Sequence, residues 1–488
     1  MSNQYQFIRQ AAAVLMACGL VVSLLPGFAA PCLAQAPAAQ PMKIIFDSDM
    51  GGDTDDGGCA AMLHALQNRG EVEVIACIFC TGTGAQYNEF GAGYWAAINH
   101  YYNRGDIPIG ANKIPNENRE GGSKAIYGFK DVEGIAKDTA RYGHKIISSK
   151  ECPSAIEVYR RALAEAEDGS VTILTVGETN VIPRLLESPS DTVSPLTGYE
   201  LVARKCSRIV SMGPPYNWGI ARLHDPLPDG GWGQQMLEKL PPNIPVYASP
   251  GGGQVRSGMS LYKTPADNPV RENYRICNGS TIDSETDHHS MDQCAAYFAV
   301  RGAQAGLQEI TSHGSWVPGE GFNCYNVWNS NIDNPMHFKV DVVSNADLGK
   351  VIDALMGELP VAISITSPRG GETWEAGAKH DIKWTTKGDI PRVRIAYTTD
   401  GAAWKEIADS LDNAGSYTWT VPEDGSATVR LKVSAIPEAV MKDVSGRIEI
   451  KESAPASASR LNPAKATFPG PGCLVKAWPS ITAFPSLP

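Results

Sequence analysis

An apolar run, Ile44-Ile45-Phe46, leads straight into five aspartates, Asp47, Asp49, Asp53, Asp55 and Asp56, with glycines between them. The run has to be buried, yet its exit carries carboxylates that repel one another strongly unless a cation neutralises them. A hard divalent ion in an oxygen cage is the simplest physical account. Residues 58–69 read as a helix with Ala61, Met62, Ala65 and Leu66 on one face, stopped at Gly70. Residues 72–79 are continuously apolar enough for a buried parallel strand. The three segments make a βαβ unit with its acids at the carboxyl end of the first strand, where open α/β sheets place their sites.

The alternation continues to about residue 360. Pro153-Ser154 opens a helix through 166, a strand covers 171–176, and a short helix follows from about 181. Further strands are expected at 208–212 and 245–248, and another helix at 292–303. Residues 41–360 are therefore expected to form one α/β domain on a mostly parallel, Rossmann-like sheet. After Pro360 short alternating runs such as 362–365, 381–384 and 392–397 are separated by Gly, Asp and Pro turns, which predicts a small all-β sandwich over 361–451. Trp374, Trp384, Trp404 and Trp419 are expected in its core or at its corners. Residues 452–488, rich in Pro, Ala and Ser, read as a disordered tail.

The beginning of the chain reads as an export signal over residues 1–36. Arg9 closes a polar stretch, 11–25 are apolar, and Ala34-Gln35-Ala36 suits signal peptidase, with cleavage after Ala38 as the alternative. No later segment is apolar over a membrane-spanning length, so the mature protein is expected in the periplasm, at the cell surface or secreted. Eleven cysteines include Cys18 and Cys32 in the leader; the nine that remain leave at least one thiol unpaired within a monomer. Cys77 and Cys80 have CxxC spacing but sit in a strand-like run with no second pair, as core thiols do. A net charge of −11 with no Lys/Arg stripe excludes nucleic acid as the main partner.

Several chemistries use clustered aspartates. Asp47, Asp49 and Asp53 match positions 1, 3 and 7 of an EF-hand loop with Gly52 at position 6, but position 12 is Gly58 and a strand enters the loop. A phosphatase of the haloacid dehalogenase type would use Asp47 and Asp49 and leave Asp55-Asp56 idle. The segment from Phe46 to Asp56 instead resembles the amino-terminal signature of the nucleoside hydrolase family, in its bacterial form with a Gly-x-Asp-x-Asp-Asp arrangement. Val171 to Asn180, ending Gly-Glu-Thr-Asn, resembles that family's Gly…Thr-Asn strand and turn; Arg208 to Gly213 resembles its Met-Gly strand, and Met291-Asp292-Gln293 stands where the family has a late metal-binding aspartate.

The resemblance implies roles. Asp49 would be metal ligand and general base to the attacking water. Asp56, Asp292 and the carbonyl of Val176 would complete a Ca2+ cage. Asp55 would hold ribose hydroxyls, and Asp47 and Asp53 would stand behind these ligands, Asp53 with no fixed role. The reaction implied is hydrolysis of the N-glycosidic bond of a ribonucleoside or related ribosyl compound. The family's asparagine after the second strand falls at Thr83, and its Glu-Phe-Asn stretch is replaced by residues 214–219, where Asn217 and Trp218 are expected to line the substrate pocket. Its histidine before the late aspartate is Met291 here, and His288 and His289 are expected to be solvated. The all-β segment resembles Ig-like modules of bacterial surface proteins, on Ser367 to Trp374, Ile382-Lys383-Trp384 and Ser416 to Trp419; such modules space, anchor or contact cell-surface or glycan ligands. A homo-oligomer is compatible with this reading. The alternative function is a repurposed, metal-stabilised binding protein; the dehalogenase-type phosphatase stands third.

Overall fold

The computed structural model describes residues 40–81, 89–113, 131–213, 232–277, 287–318, 326–423, 427–438 and 440–452. The signal segment, nearly all of the tail, Thr83, Asn217 and Trp218 lie outside them. Strands β1 (Met42–Ser48), β2 (Val72–Phe79), β3 (Ile109–Ala111), β4 (Val171–Thr175), β5 (Cys206–Met212) and β6 (Val246–Ser249) are followed by a short pair, β7 (Arg256–Ser257) and β8 (His288–His289). Then come β9 (Gln308–Thr311), the hairpin β10 (Ser315–Pro318) and β11 (Asn326–Asn329), and β12 (His337–Val342). Eight of them form one sheet in the order β3-β2-β1-β4-β5-β6-β12-β9, in which every neighbour is parallel except the edge strand β9. The winding reverses between β1 and β4, and that reversal opens a crevice at their carboxyl ends.

Both faces of this sheet are covered, which is why its strands are apolar without a gap. On β1, Ile44 and Phe46 enter one core with Cys77 and Phe79 of β2. Ile45 enters the other with Ala76 and Ile78. Period two sends neighbours to opposite faces, and each face meets helices. Five helices bear on the site: α1 (Asp55–Asn68), α2 (Gly91–Tyr101), α3 (Ala155–Glu165), α4 (Pro269–Cys277) and α5 (Met291–Arg301). Cys77 and Cys80 are buried, and no disulfide joins two cysteines among the described residues.

Helix α1 starts three residues earlier than the sequence pattern suggested, so Asp55 and Asp56 form its first turn. Gly57 and Gly58 are therefore helical, at a cost of about 1 kcal/mol each relative to alanine. Their reason is close approach. A Cβ on Gly57 would collide with the Tyr94 hydroxyl, and one on Gly58 with the Tyr274 hydroxyl and Gln293. Bare backbone lets α2, α4 and α5 close around the helix start.

Beyond residue 360 the strands are antiparallel apart from one edge pairing, Thr373–Glu375 beside Ile448–Lys451. One sheet holds Ala362–Ser367, Lys379–Lys387 and Ser416–Thr420; the other is built around Arg392–Thr398 and Ala427–Ala435. Ile382 and Trp384 point inward while Asp381 and Lys383 face solvent, the alternation of a sandwich strand. Trp374, Trp384 and Trp419 are in this core; Trp404 is half-buried under the Lys432 ammonium. The module meets the carboxyl end of α1. Asn68 Nδ2 donates to the Leu359 carbonyl at 3.2 Å, and buried Arg104 donates to the Val440 carbonyl at 2.8 Å and to Asn68 Oδ1 at 2.6 Å. No helix among the described residues is long and apolar enough to cross a membrane.

Candidate metal centre

The crevice between β1 and β4 is where the carboxylates gather. Strand pairing aligns Asp47 with Thr175, and the Val176 amide donates to the Asp47 carbonyl at 2.8 Å, which carries the ladder one residue past β4. Next to it, a Cβ on Gly177 would collide with the Asp49 amide and lie 2.9 Å from Asp49 Oδ1. Only glycine there lets the β4 turn close on the β1 exit. Val176 is thus beside the aspartate loop, and Asp49 is half-buried against it.

Asp55, Asp56 and Asp292 come together, all buried, with one oxygen from each lying within 4.8 Å of the others. The first two belong to the opening turn of α1 and the third to that of α5. Asp55 Oδ2 accepts the backbone amides of Met291 at 3.1 Å and Asp292 at 3.4 Å, so it ties the two helix starts together. Asp56 is held by the Ser48 hydroxyl and by the Gly52 amide at 3.2 Å. Two helix amino-termini point their positive ends at the cluster, which eases the carboxylates without neutralising them.

Burial pushes the carboxyls of Asp55, Asp56 and Asp292 well above the usual range, and the charges of their aspartate neighbours push the same way. No lysine or arginine among the described residues forms an ion pair with any of them. Buried charge without a partner is strongly unfavourable. Oxygen-only donors that converge without a lysine or arginine partner fit a hard divalent cation of the Ca2+ or Mg2+ kind. Asp47 lies beneath, fully buried, accepting a hydrogen bond from Tyr159 of α3 at 2.7 Å. Burial is the main cause that lifts its pKa to about 8, against hydrogen bonds from Tyr159 and Cys80.

His289 departs from the sequence reading, and Asp53, left without a fixed role there, gains a partner. Asp53 and His289 face each other, with His289 Nε2 3.3 Å from Asp53 Oδ2 and 3.9 Å from Asp55 Oδ2. Burial pushes Asp53 up, but hydrogen bonds with Asp55 and His289 outweigh it and hold the carboxyl down at about 2. The Asp53 hydrogen bond in turn raises the His289 imidazole. His289 is therefore not a solvated loop residue. Its pairing within β8, opposite Arg256 of β7, fixes it at the cluster, and the only sequence signal was its closeness to Asp292.

No protein-family model matches the chain, and no curated sequence matches it. Among solved structures, the type III effector XopQ complexed with adenosine diphosphate ribose is similar over 66% of this chain and 95% of its own, at 12% identity and a TM-score of 0.42. An inosine-guanosine nucleoside hydrolase is similar over 65% of this chain and 99% of its own, at 14% identity and a TM-score of 0.42. Fibronectin(III)-like modules of CbhA from Clostridium thermocellum are similar over 18% of this chain and 94% of their own, at 22% identity and a TM-score of 0.14.

Proposed function

We propose that the protein is an exported, calcium-dependent hydrolase that cleaves the N-glycosidic bond of a ribonucleoside or a related ribosyl compound. The observation that carries this reading is the meeting of Asp55 and Asp56 with Asp292 at the crevice of the parallel sheet. The sequence signature that resembles nucleoside hydrolases supports it, because three of the residues it singles out, Asp55, Asp56 and Asp292, lie in this group. Bound there, Ca2+ would supply the positive charge the carboxylates lack and a flexible oxygen coordination shell.

The chain's own residues carry the rest. Asp56, Asp292 and the Val176 carbonyl are assigned to hold the ion. Asp49, less buried than these, is assigned as a further ligand and as the base that takes the proton from the attacking water. Asp55 is assigned to the sugar hydroxyls. Breaking an N-glycosidic bond develops positive charge on the sugar ring, and a carboxylate-lined site stabilises that charge better than the neutral ground state. Asp47, fixed by Tyr159, keeps the loop in position.

The test is a nucleoside panel incubated with the mature chain, with and without chelator, scored for free base and reducing sugar. Chelator-sensitive release that falls by roughly a hundred- to ten-thousandfold in Asp49→Ala supports the assignment. Full metal occupancy with no N-riboside cleaved would sink it in favour of a binding protein.

A further inference from the structure

We propose that Asp53, Asp55 and His289 form a second cation position beside the buried carboxylate centre, suited to a transition-metal ion such as Mn2+, Co2+ or Zn2+. Their donor atoms lie within 4.8 Å of one another and come from two pieces of backbone far apart in the chain: the passage from the loop after β1 into α1, and strand β8. Imidazole nitrogen with two carboxylates is a donor set that favours these ions, whereas the neighbouring centre offers oxygen alone. The chemistry of the two positions therefore sorts the ions.

Two further observations point the same way. Asp55 belongs to both groups, and a carboxylate has two oxygens with which to bridge a pair of ions, as in two-metal hydrolytic sites. Charge gives the second. Asp53, Asp55, Asp56 and Asp292 share this corner, and among the described residues His289 is the single side chain that brings positive charge within ion-pair distance of them. One divalent ion offsets only two of those carboxylates. The second position also faces outward, since the side chains of His289 and Asp53 are 33% and 29% exposed while Asp55 is 5% exposed. Three protein ligands leave coordination places for water or for the oxygens of a diol.

This goes beyond the hydrolase reading and is tested without it. Untagged full-length protein is equilibrated with Ca2+ and Mn2+ together, and total divalent ions per chain are counted by elemental analysis, with bound Mn2+ followed by electron paramagnetic resonance. Two ions are expected in the wild type, and one in both His289→Ala and Asp53→Asn, with Mn2+ affinity lowered at least about tenfold. Thermal unfolding of the two variants, each changed at a partly exposed side chain, verifies that they remain folded. One ion in the wild type, or two in both variants, overturns the proposal. Base release is scored separately, so either reading can fall while the other stands.

Discussion

The two ends of helix α1, about 20 Å apart at the α-helical rise, handle charge in opposite ways. At its start Asp55 and Asp56 are buried beside Asp292, and among the described residues the one basic ion-pair partner is His289 at Asp55. At its finish Arg69 pairs with Glu358, and the guanidinium of Arg104 is spent on Asn68 and on the carbonyls of Tyr102 and Val440. Burial lowers Arg104 only to about 10, so it remains charged at neutral pH. A cleft of about 290 Å³ lined by Gln67, Arg104 and Val440 runs along that finish, between the α/β unit and the β-module. One end is completed by the chain itself. The other gathers buried carboxylates without a lysine or arginine partner among the described residues, as a place able to hold a cation would.

Substitutions should break the contrast in opposite directions. Asp292→Asn is expected to weaken Ca2+ binding by roughly a hundred- to a thousandfold, yet to stabilise the chelated protein by about 1–3 kcal/mol through lost repulsion. Calorimetric titration and urea unfolding would read the two signs, and a less stable chelated variant would contradict the account. Arg104→Ala at the finished end should destabilise by about 2–4 kcal/mol with or without Ca2+, because it takes the donor from the carbonyls of Tyr102 and Val440 and from the Asn68 side-chain oxygen. Equal stability of wild type and variant would remove Arg104 from the seam's energetics.

Acidity sharpens the comparison further. The folded chain keeps a proton on Asp47 between pH 3.8 and about 8 that the unfolded chain has released. A raised carboxyl pKa therefore stabilises at low pH, and stability should fall as pH rises through that window, by on the order of 1.4 kcal/mol per unit for such a group. Asp55, Asp56 and Asp292 shift in the same direction. Chelated protein should thus melt at progressively lower temperature from pH 4 to 8, and saturating Ca2+ should flatten the slope; parallel slopes would count against it. The smallest effect is expected for Tyr159→Phe, about 1 kcal/mol for the hydrogen bond to Asp47, seen as a modest drop in melting temperature.

Much of this was legible in the residues. The βαβ unit at 44–79, the parallel sheet and the change of texture at 360 follow from periodicity, because covered strands are apolar throughout and sandwich strands alternate. The start of α1 was not legible, since Gly57-Gly58 argues against helix unless one knows that Tyr94, Tyr274 and Gln293 press on it. Asp53 and His289 lie 236 residues apart, and a two-residue strand in a polar stretch leaves no periodicity to find. Asn217 and Trp218, expected to line the pocket where the family's Glu-Phe-Asn stretch is replaced, fall outside the described residues.

The bond from the Met291 amide to Asp55 closes a loop of 236 residues. Loop-closure entropy grows only logarithmically, about 0.6 kcal/mol per doubling, so length itself is a minor obstacle. What matters is timing. A nascent chain that has not yet reached Asp292 carries the acidic loop without the carboxylate that closes the cluster. An ion that binds only the closed arrangement adds its binding free energy to the last step of folding. Cation occupancy would then act as a latch on chain completion as well as a part of the site.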